Sequence, residues 1–209
     1  MSASKNGGNS SNSLGTVPIS SIMTKDVKIA YEDQSLYEIC KIMHDNNIGS
    51  VVITKREREA ADTGESKAAI EPVGIITERD IVNKIALKLD PASYRSSVLE
   101  LFANKIMSTP LTTIFPNNTI KDAMQTMLGK NIRRLVVIEF SGRTNKESEE
   151  NSHKTSRLIG IVTDKDIFKA IFNNQNFMTE ILTDQSFISH KDLLERLGEN
   201  LFRESWRKW

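Results

Sequence analysis

The 209-residue chain has few of the residues from which catalytic, metal and disulfide sites are built. Its single cysteine, Cys40, excludes an internal disulfide and a cysteine zinc cluster. The three histidines lie far apart, at positions 44, 153 and 190, without the spacing of metal ligands. GxSxG, phosphate-loop, HExxH and GxGxxG motifs are absent. We therefore expect no enzyme, no metal site and no bound cofactor.

The chain also lacks an excess of charge and a long apolar run. Its 28 basic and 27 acidic residues nearly cancel, which argues against a general attraction to nucleic acid or anionic membranes. No apolar run approaches the roughly 20 residues of a membrane span. The opening residues, MSASKNGGNSSNSLG, lack the apolar core of a secretory signal. We expect a cytoplasmic protein that does not span a membrane.

What the chain does contain is an internal repeat. The octapeptide GIITERDI at residues 74–81 recurs as GIVTDKDI at residues 160–167. Upstream, IMT at residues 22–24 recurs as IMS at residues 106–108. A unit that occurs twice suggests a ligand site that is built twice about a pseudo-twofold axis.

Between these motifs, each copy has the same hydrophobic pattern. An i, i+3, i+4, i+7 apolar stripe predicts an amphipathic helix in both copies. The stripe consists of Leu36, Ile39, Cys40 and Met43 in one copy and of Ile120, Ala123, Met124 and Met127 in the other. The β-branched runs at 50–53 and 134–137 predict buried strands. Each copy therefore reads helix, strand, loop, strand, helix, and Cys40 is predicted to fill the core.

Together, the IMT or IMS motif, the amphipathic helix, the VVI strand and the GhhTxxD turn resemble the CBS domain family, named for cystathionine β-synthase. The resemblance covers about residues 18–173. It implies an α/β (α+β) fold of two pseudo-symmetric CBS repeats, each a small sheet with flanking helices. The predicted organisation is a disordered tail (1–16), a first CBS repeat (17–90), a helical connector (91–104), a second CBS repeat (105–174) and a C-terminal helical extension (175–209).

Three other segments carry structural expectations. The polar segments 55–71 and 141–157 are longer than the tight turn usual in this family, and we expect solvated loops, with binding of a partner as the alternative. The connector is predicted to form a helix through Tyr94, Val98, Leu101 and Phe102. The C-terminal extension places leucines on one helical face, and we expect this amphipathic helix to pack on the module or across a dimer interface. Binding of this helix to a membrane or a partner enzyme is the alternative.

The GhhTxxD turn has a chemistry that can be argued from its residues. Gly74 permits the close approach of a backbone or ligand, and Thr77 stands where a helix should begin. Unpaired amides and the threonine hydroxyl can hold a phosphate, and Asp80 could accept both hydroxyls of a ribose. Thr163 and Asp166 repeat the pair. The residues alone favour a helix-capping box, whereas the resemblance implies contact with an adenosyl ligand.

The same capping pattern occurs elsewhere without this implication. We predict caps only for three pairs: Ser35 with Glu38, Thr119 with Asp122 and Ser189 with Asp192.

A second signal is KNIRRLVVI at residues 130–138, which resembles the family's IRHLPVV segment. The resemblance implies that Arg133 and Arg134 reach a nucleotide phosphate, and a surface salt bridge is the alternative. The first copy has glycine and serine at the matching positions 49 and 50, so the two clefts should differ in positive charge. Arg79 and Lys165, inside the turns, either supplement these arginines or are solvated.

The resemblance also implies an apolar slot for adenine, with walls near Ile29 and Thr112. Ile75 and Ile161 either line these pockets or belong to the core. The full set of predicted nucleotide-binding residues is Ile75, Thr77, Arg79, Asp80, Thr112, Arg133, Arg134, Ile161, Thr163, Lys165 and Asp166.

The resemblance therefore implies a regulatory module that binds AMP, ADP, ATP or another adenosyl ligand, such as S-adenosylmethionine or NAD, in the clefts between its repeats. Binding would transmit a conformational change to a dimer mate or to an unidentified target protein, and a homodimer is expected. The alternatives are a constitutive scaffold with vestigial clefts and a nucleic-acid-binding regulator. The balanced charge and the absence of a helix-turn-helix or zinc-finger pattern count against the latter.

Overall fold

The computed structural model describes residues 13–55, 70–86, 101–141 and 155–184. Within them the predicted α/β fold is confirmed, with two three-stranded sheets among helices. The elements of the first half are β1 (Ile29–Tyr31), α1 (Leu36–Asp45), β2 (Ser50–Thr54), β3 (Pro72–Thr77) and α2 (Glu78–Ile81), which continues as one π-helical turn (Val82–Ala86). Those of the second are α3 (Ala103–Ile106), β4 (Thr113–Ile114), α4 (Ile120–Gly129), β5 (Arg134–Ser141), β6 (Thr155–Thr163), α5 (Asp164–Phe172) and α6 (Gln175–Thr183). The helix predicted for the leucine-rich C-terminal segment, most of the two polar segments predicted as loops and the predicted Ser189–Asp192 cap lie outside the described residues.

The described residues group into two compact units. The helical unit comprises the described parts of Met1–Met23, Pro116–Leu135 and Val162–Trp209. The sheet unit comprises those of Thr24–Phe115 and Val136–Ile161.

Both sheets follow one plan, and the predicted order of helix, strand, strand and helix is confirmed in each copy. β1 pairs in parallel with β2, and β2 pairs antiparallel with β3. In the second sheet β4 pairs in parallel with β5, and β5 lies between β4 and β6. The sequence pattern does not predict β1 and β4 as strands, because three and two residues are too few for an alternation to be recognised.

The helices α1 and α4 begin and end in the same way. Ser35 and Thr119 form the predicted capping boxes with Glu38 and Asp122. After each helix an asparagine adopts a left-handed conformation, with φ of 50° at Asn47 and 49° at Asn131. In the first copy the amide of Asn47 donates to the carbonyl of His44, and the amide of Ile48 donates to the carbonyl of Met43, which is the Schellman pattern. The second copy repeats both bonds.

Two apolar clusters form the core of the sheet unit. In one, the buried face of α1 packs against β2, β3 and α3; its members are Ala30, Leu36, Ile39, Met43, Val51, Ile53, Ile76, Ala103 and Ile106. Cys40 packs at its edge, where burial raises the pKa of the thiol, in agreement with the predicted core role. In the other, Val52 meets Val136 and Ile138.

Two backbone bridges link the repeats within the sheet unit. The amide of Ile75 donates to the carbonyl of Ser108 (3.2 Å), and the Ser108 amide donates back (2.8 Å). Thr24 and Ile161 exchange the same pair of bonds at 2.9 Å each. Each IMT or IMS motif therefore pairs with the last strand of the other repeat.

The helical unit begins at the N-terminal segment. Leu14 is 0% exposed, its amide donates to Glu180 of α6, and its carbonyl accepts from the amide of Lys121 in α4. Ser13 also donates to Glu180 through its hydroxyl. The expected disorder therefore does not extend to residues 13–16, because a buried leucine and these bonds hold the segment.

The predicted connector helix is wrong at its described end. Phe102 forms an extended bridge with Ser35, and the carbonyl of Leu101 accepts from the amide of Leu36. These bonds to the start of α1 require extended backbone, so α3 begins only at Ala103. Residues 87–100 lie outside the described part of the chain. None of the helices in the described segments is both long and apolar enough to cross a lipid bilayer.

Candidate functional site

The first GhhTxxD motif forms a turn at the end of β3, and we call residues 77–80 the Asp80 turn. Thr77 caps α2: its hydroxyl accepts from the Asp80 amide (3.2 Å) and donates to Asp80 Oδ2 (2.6 Å). The Thr77 amide donates to the same carboxylate oxygen at 2.9 Å. The capping alternative therefore describes the geometry of this turn.

The other carboxylate oxygen of Asp80 is also occupied. The Ser108 hydroxyl donates to Oδ1 at 2.6 Å, and the Lys84 ammonium lies 3.1 Å from the same atom. The Asp80 side chain is only 11% exposed. Burial alone would raise the pKa of this carboxyl, but the hydrogen bonds from Ser108, Thr77 and Lys84 outweigh it and hold the pKa below its ordinary value.

Gly74 explains how the start of the second repeat approaches this turn. A methyl group at position 74 would lie 2.9 Å from Cγ and 3.1 Å from Cβ of Met107, and it would also overlap the sulfur. The group that approaches Gly74 is therefore the Met107 side chain, whereas the sequence suggested a backbone or a ligand. It allows Ser108, the next residue, to pair with β3.

The second motif forms the Asp166 turn, residues 163–166, at the start of α5. Thr163 and Asp166 repeat the capping box: the Thr163 amide and hydroxyl donate to Asp166 Oδ2 at 2.9 and 2.7 Å. Here the resemblance between the copies ends. Within the described segments, Oδ1 of Asp166 accepts no hydrogen bond, and the residue is only partly buried.

The two arginines adjoin the Asp166 turn through the backbone. The Asp164 amide donates to the carbonyl of Arg133 at 3.0 Å, which fixes the start of β5 beside the start of α5. Arg133 Nε lies 3.8 Å from an Asp164 carboxylate oxygen, with half of its side chain exposed, so the foreseen surface salt bridge is present. The Arg134 guanidinium pairs with no acidic group in the part of the chain that the structure describes.

The remaining predicted residues are divided between solvent and core. Arg79 and Lys165 are exposed on their helices. Ile75 and Ile161 pack against the Val52 cluster of the sheet unit, and the carbonyl of Thr112 accepts from the amide of Val136. Among the described residues, no three His, Cys, Asp or Glu side chains gather as metal ligands.

Sequence reasoning did not identify Lys84 and Ser108 as neighbours of the Asp80 turn, or Asp164 as the acidic partner of Arg133. Lys84 stands four residues after Asp80, the spacing of a helical ion pair, and Ser108 ends the repeated IMS motif. The sequence carries both signals, but their convergence on one carboxylate depends on the tertiary pairing of Ser108 with β3.

Comparison with known proteins relates the chain to one family. The sequence signature of the CBS domain matches residues 19–87 and 103–173. An uncharacterized protein of Methanopyrus kandleri is 30% identical over 156 residues, 75% of this chain and 63% of the relative. The mitochondrial CBS domain-containing protein CBSX3 of Arabidopsis thaliana is 28% identical over 139 residues, 66% of this chain and 53% of the relative. This chain therefore spans less than two thirds of the length of either relative.

A solved structure has the same fold. The CBS domain pair of protein MJ0100, in complex with 5′-methylthioadenosine and S-adenosyl-L-methionine, superposes with a TM-score of 0.54 at 20% identity, covering 75% of this chain and 98% of that one. Two matched CBS segments, two sheets of one plan and two GhhTxxD turns lead to one conclusion: the chain belongs to the CBS domain family, as a tandem pair of CBS domains.

Proposed function

We propose that this protein is a regulatory module that binds an adenine nucleotide or another adenosyl ligand and converts binding into a conformational signal. CBS domain pairs are generally regulatory, not catalytic. The fold neighbour with two adenosyl compounds bound supports the ligand class.

The observation that carries the proposal is the arrangement of the Asp166 turn. One carboxylate oxygen of Asp166 accepts no hydrogen bond from the described residues, and the cationic Arg134 begins the strand that adjoins the turn. An available carboxylate suits ribose hydroxyls, and an unpaired guanidinium suits a phosphate.

The proposed contacts follow from this chemistry. Asp166 would accept ribose hydroxyls, and Thr163 would contribute its hydroxyl. Arg134, assisted by Arg133 and Lys165, would bind phosphate. These cations favour AMP, ADP or ATP over S-adenosylmethionine, and NAD also carries the required phosphates. The corresponding residues of the sheet unit are Thr77, Arg79 and Asp80, with Ile75, Thr112 and Ile161 as the nearby residues predicted to contact adenine. There Ser108 and Lys84 already occupy Oδ1 of the Asp80 carboxylate, so the Asp166 turn carries the proposal.

The output of the module would be conformational. A ligand can shift an equilibrium only through its different affinities for two states, so binding must favour one arrangement of the chain. We propose that a dimer mate or a separate target protein, in the cytoplasm, receives this change.

Calorimetric titration tests the proposal. AMP, ADP, ATP, S-adenosylmethionine and 5′-methylthioadenosine would each be added to the wild type, Asp166→Asn and Arg134→Gln. We expect Asp166→Asn to weaken binding by about tenfold or more, since a hydrogen bond to a charged group contributes about 1.5–3 kcal/mol. Arg134→Gln should weaken the binding of AMP, ADP and ATP and leave the binding of 5′-methylthioadenosine unchanged. Arg157→Gln, at an exposed arginine of β6, is the matched control.

Each alternative has its own outcome. If none of the five compounds binds the wild type saturably, the adenosyl-sensor proposal is wrong and the scaffold alternative gains weight. Binding of oligonucleotides with a steep salt dependence would favour the nucleic-acid regulator instead.

A further inference from the structure

The Lys84 ammonium lies in a cage of oxygen atoms beside the Asp80 turn. It donates to the backbone carbonyls of Ile106 and Met107 at 3.1 Å each and to the Ser108 hydroxyl at 3.0 Å. The Asp80 carboxylate completes the cage at 3.1 Å. The chain itself thus supplies a cation to this group of oxygens.

The position of Lys84 follows from local structure. It lies one helical turn beyond Asp80, in the π-helical segment that continues α2. Its carbonyl acceptors belong to the end of α3 and the residue after it, which the pairing of Ser108 with Ile75 holds against β3. The lysine therefore joins the last helix of the first repeat to the beginning of the second.

As a result, Asp80 has no oxygen left for a ligand. Thr77 occupies Oδ2 with two hydrogen bonds, and Ser108 and Lys84 occupy Oδ1. A ribose hydroxyl would have to displace a charge-assisted bond from a side chain that is nearly buried, and this exchange gives little net gain.

The second repeat lacks the lysine. The residue that matches Lys84 is Ala170, four positions after Asp166. An alanine side chain cannot donate to a carboxylate, and Oδ1 of Asp166 accepts no hydrogen bond from the described residues. Thus two motifs that are nearly identical in sequence differ in whether their carboxylate is available.

We propose that Lys84 is a built-in occupant of the Asp80 turn: it makes Asp80 a structural group and leaves ligand binding to the Asp166 turn. This inference rests on the proposed function and narrows it from two equivalent turns to one. Lys84, a residue outside the Asp166 turn, would then decide which of the two turns binds the ligand.

Two paired measurements test the inference. The first is titration of AMP, ATP and 5′-methylthioadenosine into Asp80→Asn and Asp166→Asn. The same chemical change at matched positions should leave Kd within about twofold in Asp80→Asn and raise it about tenfold or more in Asp166→Asn. A wild-type stoichiometry of one ligand per chain is also expected. Loss of binding in a folded Asp80→Asn variant, with binding retained in Asp166→Asn, would overturn the inference and leave the proposed function intact.

The second measurement needs no ligand. Urea midpoints would be determined for Asp80→Asn, Lys84→Met and the double variant. Both single changes should lower the midpoint, and the double change should lower it by less than the sum, because the two side chains bind each other. Lys105→Met, at an exposed lysine of α3, controls for loss of positive charge.

The two measurements separate the possible failures. Additive midpoints would show that Lys84 does not hold Asp80, and the inference would be wrong whatever the ligand result. If the wild type binds none of the probes, the proposed function fails, and so does the assignment of the ligand to Asp166. The non-additivity of the urea midpoints would still show whether Lys84 occupies the Asp80 turn.

Discussion

A methyl group added at Gly74 should destabilise the protein, and the structure gives the size of the effect. The new Cβ would lie 2.9 and 3.1 Å from Cγ and Cβ of Met107, whereas carbon atoms in contact are normally about 3.5–4.0 Å apart. The thioether of Met107 can rotate away, but its Cβ is held by the backbone next to the Ser108–Ile75 bridge. We expect Gly74→Ala to cost about 1–3 kcal/mol, the usual range for overpacking.

The chain offers a matched control for this substitution. Gly129 is the last residue of α4; a methyl group added there would meet no atom within 4 Å, and the φ of Gly129 is not positive. Gly129→Ala should stabilise the protein by about 0.5–1 kcal/mol, because alanine restricts the unfolded chain and favours helix. The same chemical change should therefore have opposite signs at the two glycines, as measured by urea unfolding with linear extrapolation.

A double variant identifies the atoms responsible. Met107→Ala removes the sulfur and Cγ that the new methyl group would meet, so Gly74→Ala should cost about 1 kcal/mol less in that background. If Gly74→Ala costs less than about 0.5 kcal/mol, or the cost is unchanged by Met107→Ala, the close approach of Met107 is not what requires glycine at position 74.

Three further outcomes are expected. Leu14→Ala should lower the free energy of unfolding in urea by about 2–3 kcal/mol, since the leucine side chain is 0% exposed. Leu182→Ala, at a side chain 57% exposed, is the control and should have little effect. Equal effects would contradict the packing of the N-terminal segment. Asn47→Ala should lower the free energy of unfolding by about 1 kcal/mol and Asn47→Gly should leave it unchanged, because the backbone at position 47 is left-handed with φ of 50°. Thermal unfolding of both variants measures the difference. An alanine variant as stable as the wild type would rule out backbone strain at this position. The pKa of Asp80 is lowered in the folded state, so the ionised side chain contributes fully to the free energy of unfolding above about pH 4, and this contribution is lost as the pH falls through the folded pKa. Asp80→Asn should therefore make the free energy of unfolding depend less steeply on pH in acid. An unchanged pH profile would contradict the lowered pKa.

The sequence predicted those parts of the fold that depend on local pattern. The stripe from Leu36 to Met43 is one face of a helix, and the run at 50–53 is a strand, because burial repeats with the period of each element. The same logic failed where the pattern was too short or the partner too distant. The two-residue strand β4 has no period, and Phe102 is extended because Ser35 pairs with it.

For the candidate site, sequence reasoning located the turns but did not distinguish them. Thr77 and Thr163 start their helices with the same capping box, as the shared motif predicts. What differs lies outside the motif: Lys84 in one copy, alanine in the other, and Ser108 brought in by its backbone bridge to Ile75 of β3. The difference between lysine and alanine is visible in the sequence, but the meeting of Lys84 and Ser108 on one carboxylate depends on tertiary pairing, which the motif alone does not encode.

The reciprocal bridges have a consequence for the repeat as a building block. Ser108 belongs to the second repeat but pairs with β3 of the first, and Thr24 belongs to the first but pairs with β6 of the second. Each repeat thus supplies the segment that pairs with the last strand of the other repeat. A single repeat made alone would leave the backbone groups of its last strand and of its IMT or IMS segment without these partners. It could pair both only by exchanging segments with a second copy of itself. The tandem arrangement places that exchange within one chain, so that it no longer depends on protein concentration.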